Sequence, residues 1–189
     1  MDAIIRTFIA AHIPDSVRKT ITEFLATLRR IDADVKWVRP ESLHLTLKFL
    51  GEVEEERIEP IANAIAKSTT GKASFDVALG GTGTFPNPHR PNVLWIGVRQ
   101  GAENLAILAG SIEAALSELK FEREKRPFSA HLTFGRVRSQ RGVLKTVEWM
   151  TETGFDSDPF RIDAIYVMKS ELQRTGAVYS VLRTIKLQG

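Results

Sequence analysis

The sequence predicts an α+β protein in which two antiparallel sheets line a central groove and helices cover the outer faces of the sheets. Helical segments of three- and four-residue hydrophobic period alternate with strand-like segments that follow one another mostly as hairpins. The tripeptide His-Leu-Thr occurs at residues 44–46 and again at residues 131–133, 87 positions apart and close to half the chain length. In each half a long helix precedes this strand, so we expect a bilobal, pseudo-duplicated fold.

Each element is predicted from its local pattern. Segments rich in β-branched and aromatic residues, bounded by Gly, Pro or Asn, indicate strands, and apolar residues at three- and four-residue spacing indicate helices. Gly, Pro and Asn dominate residues 80–92, which predicts a loop. Residues 141–149 fit either a loop or a short helix. The predicted strands are 4–11, 35–38, 43–50, 74–79, 93–98, 128–134, 160–170 and 178–187, with a junction at 173–177 between the last two, and the predicted helices are 14–30, 54–67 and 105–119.

The bulk composition sets the remaining expectations. The chain has 189 residues, of which 43% are hydrophobic and 26% charged, which predicts one bilobal domain over residues 1–189 with a substantial core. It contains no cysteine, so disulfides, thiolate metal sites and thiol nucleophiles are excluded, in keeping with a cytoplasmic protein. We predict no membrane span and read the N-terminal segment as a first strand rather than a signal peptide. The net charge of +3 is compatible with a phosphate-bearing partner.

The first His-Leu-Thr strand is amphipathic. Side chains of a strand point alternately to its two faces, so residues two apart share a face. Strict alternation predicts that Leu43, Leu45, Leu47 and Phe49 face the core while His44, Thr46 and Lys48 face the groove.

The second His-Leu-Thr strand shows the same alternation of core and groove residues as far as Phe134. His131 and Thr133 share the open face. Alternation alone would then turn Arg136 inward, where an unpaired charge is costly. Gly135 offers a bend or bulge that would return Arg136 to the groove.

These residue types suit the cleavage of a phosphodiester. An imidazole has an unperturbed pKa of about 6.5, so two histidines across one substrate can serve as general base and general acid. The hydroxyls of Thr46 and Thr133 and the guanidinium of Arg136 would bind the anionic phosphate oxygens. The sequence therefore predicts His44 and His131 as catalytic residues and Thr46, Thr133 and Arg136 as phosphate-binding residues.

No metal or cofactor is expected. A zinc site needs three or four clustered His, Cys or carboxylate ligands, and His12 and His89 show no ligand-like spacing to His44 and His131. The chain contains no Walker A motif, and its Gly-rich run at residues 80–83 lacks the strand-glycine-helix context of a nucleotide-binding loop.

The segments LHLTLKFLG and RPFSAHLTFGR, with the opening RTFIAAHIP and the closing KSELQRTGAVYSVLRTIKL, resemble the two-histidine phosphoesterase superfamily. The resemblance is to its RNA 2′,3′-cyclic phosphodiesterases, also called 2′-5′ RNA ligases, and it extends over nearly the whole length. One departure is Ser129-Ala130 before His131, where many relatives carry a proline next to the histidine. The resemblance implies a bilobal fold with both motifs in one groove.

The resemblance also implies hydrolysis of a 2′,3′-cyclic phosphate at an RNA 3′ end to a 2′-phosphate, without a metal. His44 and His131 are then the catalytic pair; we favour His131 as the base and His44 as the acid, although the sequence does not decide this polarity. The expected partners are RNA ends or 2′,3′-cyclic nucleotides, and a monomer is expected. Two alternatives stay open: ATP-independent 2′-5′ RNA ligation by the reverse reaction, and a non-catalytic module that binds RNA ends.

For several other polar and aromatic residues the sequence allows either a role at the site or a structural role. Lys48 shares the predicted face of His44 and could touch substrate, and Arg126 could reach the RNA backbone, but a solvated role suits both. Phe8 and Trp37 could stack on a base, although core packing is favoured for both. Tyr179 either borders the groove or lies within the sheet.

Overall fold

A computed structural model describes residues 3–173 and 176–188. Within these ranges the chain forms nine strands and four α-helices. Short 3₁₀ turns at Pro40–Ser42 and Glu55–Arg57 precede β3 and α2. The elements are β1 (Ile4–His12), α1 (Asp15–Leu28), β2 (Val35–Trp37), β3 (His44–Glu54), α2 (Ile58–Ser68), β4 (Phe75–Phe85), β5 (Val93–Gln100), α3 (Ala102–Glu118), β6 (His131–Val137), α4 (Val143–Thr153), β7 (Phe160–Ile162), β8 (Ala164–Gln173) and β9 (Gly176–Lys186).

The strands form two antiparallel sheets, which confirms the predicted fold class. One sheet has the order β3-β1-β8-β9 and the other the order β2-β6-β5-β4-β7. Strands β3 and β6, which carry the two His-Leu-Thr copies, contact each other where the sheets meet. The predicted junction at 173–177 includes residues 174 and 175, which lie outside the described ranges.

The helices cover the outer faces of both sheets because each presents one apolar stripe. The predicted three- and four-residue spacing is realised in α2, which buries Ile58, Ile61 and Ile65. Residues 141–149, which fit either a loop or a helix by sequence, lie mostly in α4. The buried side chains of all four helices join one core that also contains the inner residues of the strands. That the whole chain acts as one domain remains a prediction.

The two halves of the chain interlock. Strands β8 and β9 from the second half complete the sheet of β1 and β3, while β4 from the first half joins β5 and β6. Helix α1 packs against α4, and its Phe24 contacts Phe134 of β6 at 6.1 Å between ring centroids. Helix α2 packs against α3, which in turn contacts β3. Each sheet is therefore built and covered by both halves.

The predicted loop at 80–92 is wrong in its first half, because β4 continues to Phe85. The glycines there shape a strand rather than a loop. Gly81 has φ +69° at an irregularity in the β4–β5 register, a conformation that a glycine adopts without strain. A Cβ on Gly83 would lie 2.2 Å from the ring of Trp95, so glycine is required for the indole to lie against this strand.

Candidate active site

Both predicted catalytic histidines begin a strand at the groove between the sheets. His44 opens β3 and lies opposite His12 of β1, and His131 opens β6 and lies opposite Gly97 of β5. Both side chains are partly exposed. The two motifs occupy equivalent positions, since each histidine is the first residue of its strand. The two strands, β3 and β6, contact each other.

The two imidazoles are held in the same way. Nδ1 of His44 lies 2.8 Å from the carbonyl oxygen of Ser42, and Nδ1 of His131 lies 2.7 Å from that of Ser129. A carbonyl can only accept, so Nδ1 carries the proton and donates in both rings. In the neutral form this leaves Nε2 of each ring as the atom that can take up a proton. The unusual Ser129-Ala130 segment therefore still supplies the carbonyl that orients His131.

The threonine of the first motif contacts its histidine directly. Oγ1 of Thr46 lies 3.0 Å from Nε2 of His44, and the hydroxyl donates to the unprotonated nitrogen. Thr133 is placed two residues after His131 on the corresponding face of β6 and is likewise partly exposed. Each motif thus places its threonine on the same strand face as its histidine, as the alternation predicts.

His44 is neutral at physiological pH before substrate binds. Burial lowers the pKa of His44 to about 4, against the raising effect of its hydrogen bond to the Ser42 carbonyl. The positive charges of His12 and Arg136 lower this pKa further. A ligand that brings negative charge to Nε2 would raise the pKa of His44.

Arg136 lies at the groove, as the predicted bend at Gly135 requires. The register between β5 and β6 shifts between Leu94 and Trp95, so one extra residue of β6 is accommodated there. The bulge leaves Phe134 and Gly135 both buried and Arg136 exposed. Its charge acts on the pKa of both His44 and Tyr179, which lie on the other sheet. The second motif therefore reaches across to the first.

The prediction that Lys48 faces the groove is wrong. The register between β1 and β3 shifts between Ile9 and Ala10, so the residue after Leu47 has the opposite parity. Lys48 is only 3% exposed, and its Nζ donates to Glu113 Oε1 at 3.0 Å and to the carbonyl of Glu122 at 2.9 Å.

The same shift overturns the prediction that Phe49 faces the core. Phe49 is 45% exposed. Its ring stacks with that of Phe8 on the groove side of the sheet, at 6.3 Å between centroids, and the guanidinium of Arg6 lies 5.1 Å from its centre.

Aromatic rings pack around both imidazoles. His44 contacts Phe8 at 4.8 Å and the ring of Tyr179 edge-on at 5.1 Å. His131 contacts Phe85 edge-on at 5.0 Å and Trp95 at 6.3 Å. Tyr179 therefore borders the groove, and Phe8 is buried yet touches the site.

The sequence reasoning missed Phe85 and Trp95. Phe85 falls in the predicted loop, whereas it ends β4. Trp95 lies opposite Thr133, so the pairing of β5 with β6 would have placed it on the groove face. Trp37 packs in parallel on Phe134 at 6.3 Å and belongs to the core, as favoured.

The remaining polar residues are placed as follows. The ring of His12 stacks on that of Tyr166 at 3.7 Å, and burial followed by the charge of Arg18 lowers its pKa. His89 and Arg126 are exposed.

Among residues 3–173 and 176–188, no three His, Cys, Asp or Glu side chains cluster as a metal site would require. No helix in these ranges is both long and apolar enough to cross a membrane.

Comparison with known proteins agrees with the duplication of the chain. The family described as LigT like Phosphoesterase matches residues 12–95 and 96–179, one match per half. The RNA 2′,3′-cyclic phosphodiesterase of Archaeoglobus fulgidus is 37% identical over 96% of this chain and 99% of its own length. The one from Methanothermobacter thermautotrophicus is 32% identical over 97% and 99%, respectively.

Solved structures show the same fold. The crystal structure of TT0787 of Thermus thermophilus is similar with a TM-score of 0.82 and 29% identity, covering 98% of this chain and 99% of that one. Escherichia coli LigT complexed with 3′-AMP has a TM-score of 0.81 at 23% identity, covering 99% and 100%. With a family match in each half and relatives above 30% identity over almost their full length, the chain belongs to the LigT-like phosphoesterase family.

Proposed function

We propose that this protein hydrolyses 2′,3′-cyclic phosphate ends of RNA to 2′-phosphates, with His44 and His131 as acid and base. The observation that carries the proposal is the shared anchoring of the two rings: each Nδ1 is fixed by a backbone carbonyl, which leaves each Nε2 for proton transfer. The names of the relatives, RNA 2′,3′-cyclic phosphodiesterases, support the same reaction.

The proposed step is an in-line displacement at phosphorus. Nε2 of His131 takes a proton from water, the water oxygen bonds to phosphorus, and the bond from phosphorus to O3′ breaks. Nε2–H of His44 gives its proton to O3′. The product carries a free 3′-hydroxyl and a 2′-phosphate, and the two imidazoles end with their protonation states exchanged.

The neutral state of His44 before substrate binds is compatible with its role as the acid. Burial is the main cause of its low pKa, and an anionic phosphate beside Nε2 raises the pKa of an imidazole. The proton that reaches O3′ is therefore taken up together with the substrate. Once Nε2 is protonated, the hydroxyl of Thr46 no longer donates to it and can donate to a phosphate oxygen.

Thr133 and Arg136 complete the proposed phosphate site. Arg136 is exposed at the groove, and a guanidinium can donate two parallel hydrogen bonds to a phosphoryl group. The donors would stabilise the charge that builds up on the phosphoryl oxygens in the transition state. We propose that no metal or cofactor is needed, because the imidazoles supply both proton transfers and the donors bind the anion.

We propose that a monomer acts in the cytoplasm on RNA ends or 2′,3′-cyclic nucleotides. The two motif strands, β3 and β6, belong to one chain and contact each other, so a second copy is not needed to bring the motifs together. The absence of cysteine fits a reducing compartment.

The experiment is hydrolysis of an oligonucleotide with a 2′,3′-cyclic end, in the presence of EDTA, with the phosphate located in the product. We expect a 2′-phosphate, and loss of turnover in His44→Ala and in His131→Ala. His89→Ala is the matched control, since His89 is exposed and its contact with Asn87 is through the backbone N–H. A 3′-phosphate product would mean that O2′ leaves. Full turnover in both histidine variants would end the proposal, and tight RNA binding without turnover would favour the binding module.

A further inference from the structure

A cavity of about 140 Å³ opens beside His44, and the proposed reaction leaves it without a role. It is bordered by the start of α1, the turn at Pro40–Ser42, the end of β1 and the β8–β9 hairpin. A second cavity, of about 240 Å³, is lined by residues 72–75 and by α3, and none of the groove residues borders it. The smaller cavity is the one that a substrate held at His44 would reach.

The walls of this cavity suit a flat ring. Met168 and Val181 contribute apolar surface, and Tyr179 contributes an aromatic ring that stands edge-on to His44. Drug-sized pockets measure about 300–1,000 Å³, so a cavity of this volume accommodates a single small ring system rather than a whole nucleotide.

The charges at the rim do not suit an anion. The guanidinium of Arg18 is paired with the carboxylate of Asp15, and it also donates to the carbonyl of Ile13 at 3.2 Å. The carboxylate of Glu41 also lines the cavity and would repel a phosphate. Oε1 of Glu41 lies 3.7 Å from Nη1 of Arg39, which is beyond hydrogen-bond distance, so the Glu41 carboxylate remains open to other donors.

The rim therefore offers donors and acceptors to a neutral polar ring. A guanidinium has five N–H donors, of which Arg18 uses two in the contacts above. Glu41, whose side chain is 67% exposed, offers two acceptor oxygens and no donor. A ligand that matches this rim carries an acceptor next to two adjacent N–H groups.

We propose that this cavity binds the base of the nucleotide whose cyclic phosphate is attacked, and that it prefers guanine; this inference rests on the proposed function. Guanine is the RNA base that presents a carbonyl oxygen beside two neighbouring N–H donors, at O6, N1 and N2. Arg18 donates to O6, and Glu41 accepts from N1–H and N2–H. In the same orientation uracil offers Glu41 a single N–H. Adenine and cytosine turn their amino group to Arg18 and offer Glu41 no N–H. The ring of the base packs between Tyr179 and the apolar wall.

The test compares kcat/KM for the four 2′,3′-cyclic nucleotides. A well-placed bidentate contact discriminates between bases by about tenfold or more, so we expect that advantage for 2′,3′-cyclic GMP. In Glu41→Gln the advantage should disappear, because an amide has one acceptor oxygen in place of two and its NH₂ group would face an N–H donor of guanine. Glu23→Gln, on α1 and away from the cavity walls, is the matched control and should keep the wild-type order.

A binding measurement separates this inference from the proposed function. The affinities for 2′-GMP, 2′-AMP, 2′-CMP and 2′-UMP can be titrated without any turnover, and we expect 2′-GMP to bind about tenfold more tightly. Equal affinities, or a Glu41→Gln variant that loses affinity for all four in parallel, would overturn the guanine site. If 2′-GMP is preferred but cyclic nucleotides are not hydrolysed, the proposed reaction fails and the base site stands.

Discussion

Replacing Lys48 by methionine tests whether this side chain serves the core or the groove. Lys48 is almost fully buried, and its Nζ has two partners, Glu113 Oε1 and the Glu122 carbonyl. Glu113 Oε1 also accepts the backbone N–H of Glu124 at 2.9 Å. The lysine therefore ties β3 to α3 and to the segment that leads into β6.

The expected loss of stability follows from these contacts. Removing one partner of a fully buried ion pair costs about 3–5 kcal/mol. Because the Glu113 side chain is 23% exposed, we expect a smaller loss, about 2–3 kcal/mol. For a chain of this size the loss corresponds to a fall in Tm of roughly 5–10 °C. Lys48→Met/Glu113→Gln should regain about 1 kcal/mol, because no unpaired buried carboxylate remains.

Thermal unfolding and steady-state hydrolysis decide the question together. We expect kcat/KM of Lys48→Met to stay within about twofold of wild type at a temperature well below both unfolding transitions, since its Nζ is bonded to Glu113 and Glu122 and not to a group of the proposed site. The reasoning is refuted if Tm is unchanged while turnover falls tenfold, because that result would put the ammonium at the substrate, as strict alternation along β3 predicts.

Three further predictions concern the groove. Burial lowers the pKa of His44 to about 4, against about 6.5 in the unfolded chain, so the unfolded state takes up a proton first as the pH falls. The free energy of unfolding that neutral His44 contributes is therefore complete above pH 6.5 and is lost as the pH falls towards 4. In denaturant unfolding, the free energy of unfolding of wild type should fall across this window by at most roughly 3 kcal/mol more than that of His44→Gln. With a nitrophenyl phosphodiester, whose leaving group needs no proton, His44→Ala should lose much less activity than His131→Ala, and the opposite order would reverse acid and base. Arg136→Lys should lower kcat/KM about tenfold at unchanged Tm, because an ammonium cannot donate two parallel hydrogen bonds; wild-type kinetics would remove Arg136 from the phosphate site.

The sequence carries enough information to predict three of the four helices that the structure describes, together with the two motif strands; for the segment of α4 the sequence fits either a loop or a helix. Helices α2 and α3 follow from hydrophobic spacing because their stripes pack on a sheet, and the groove face of His44 and Thr46 follows from alternation. The duplication of the motif, rather than either copy alone, indicates one site built from two halves.

Alternation fails where a strand carries a bulge, and the sequence marks such places weakly. Gly135 gives a visible signal for the bend before Arg136. The shift that buries Lys48 and exposes Phe49 occurs within the run LTLKF, which contains no glycine or proline, so only the pairing with β1 reveals it. Glycine at position 83 is explained only by its contact with Trp95, twelve residues away on the neighbouring strand.

The interlocking of the two halves means that the chain cannot be divided at its duplication. The boundary between the two family matches, at residues 95 and 96, falls inside β5. A cut there would separate β1 and β3 from the strands β8 and β9 that complete their sheet, and it would leave α1 without α4. The two motif strands would be separated as well, so neither half holds a complete groove.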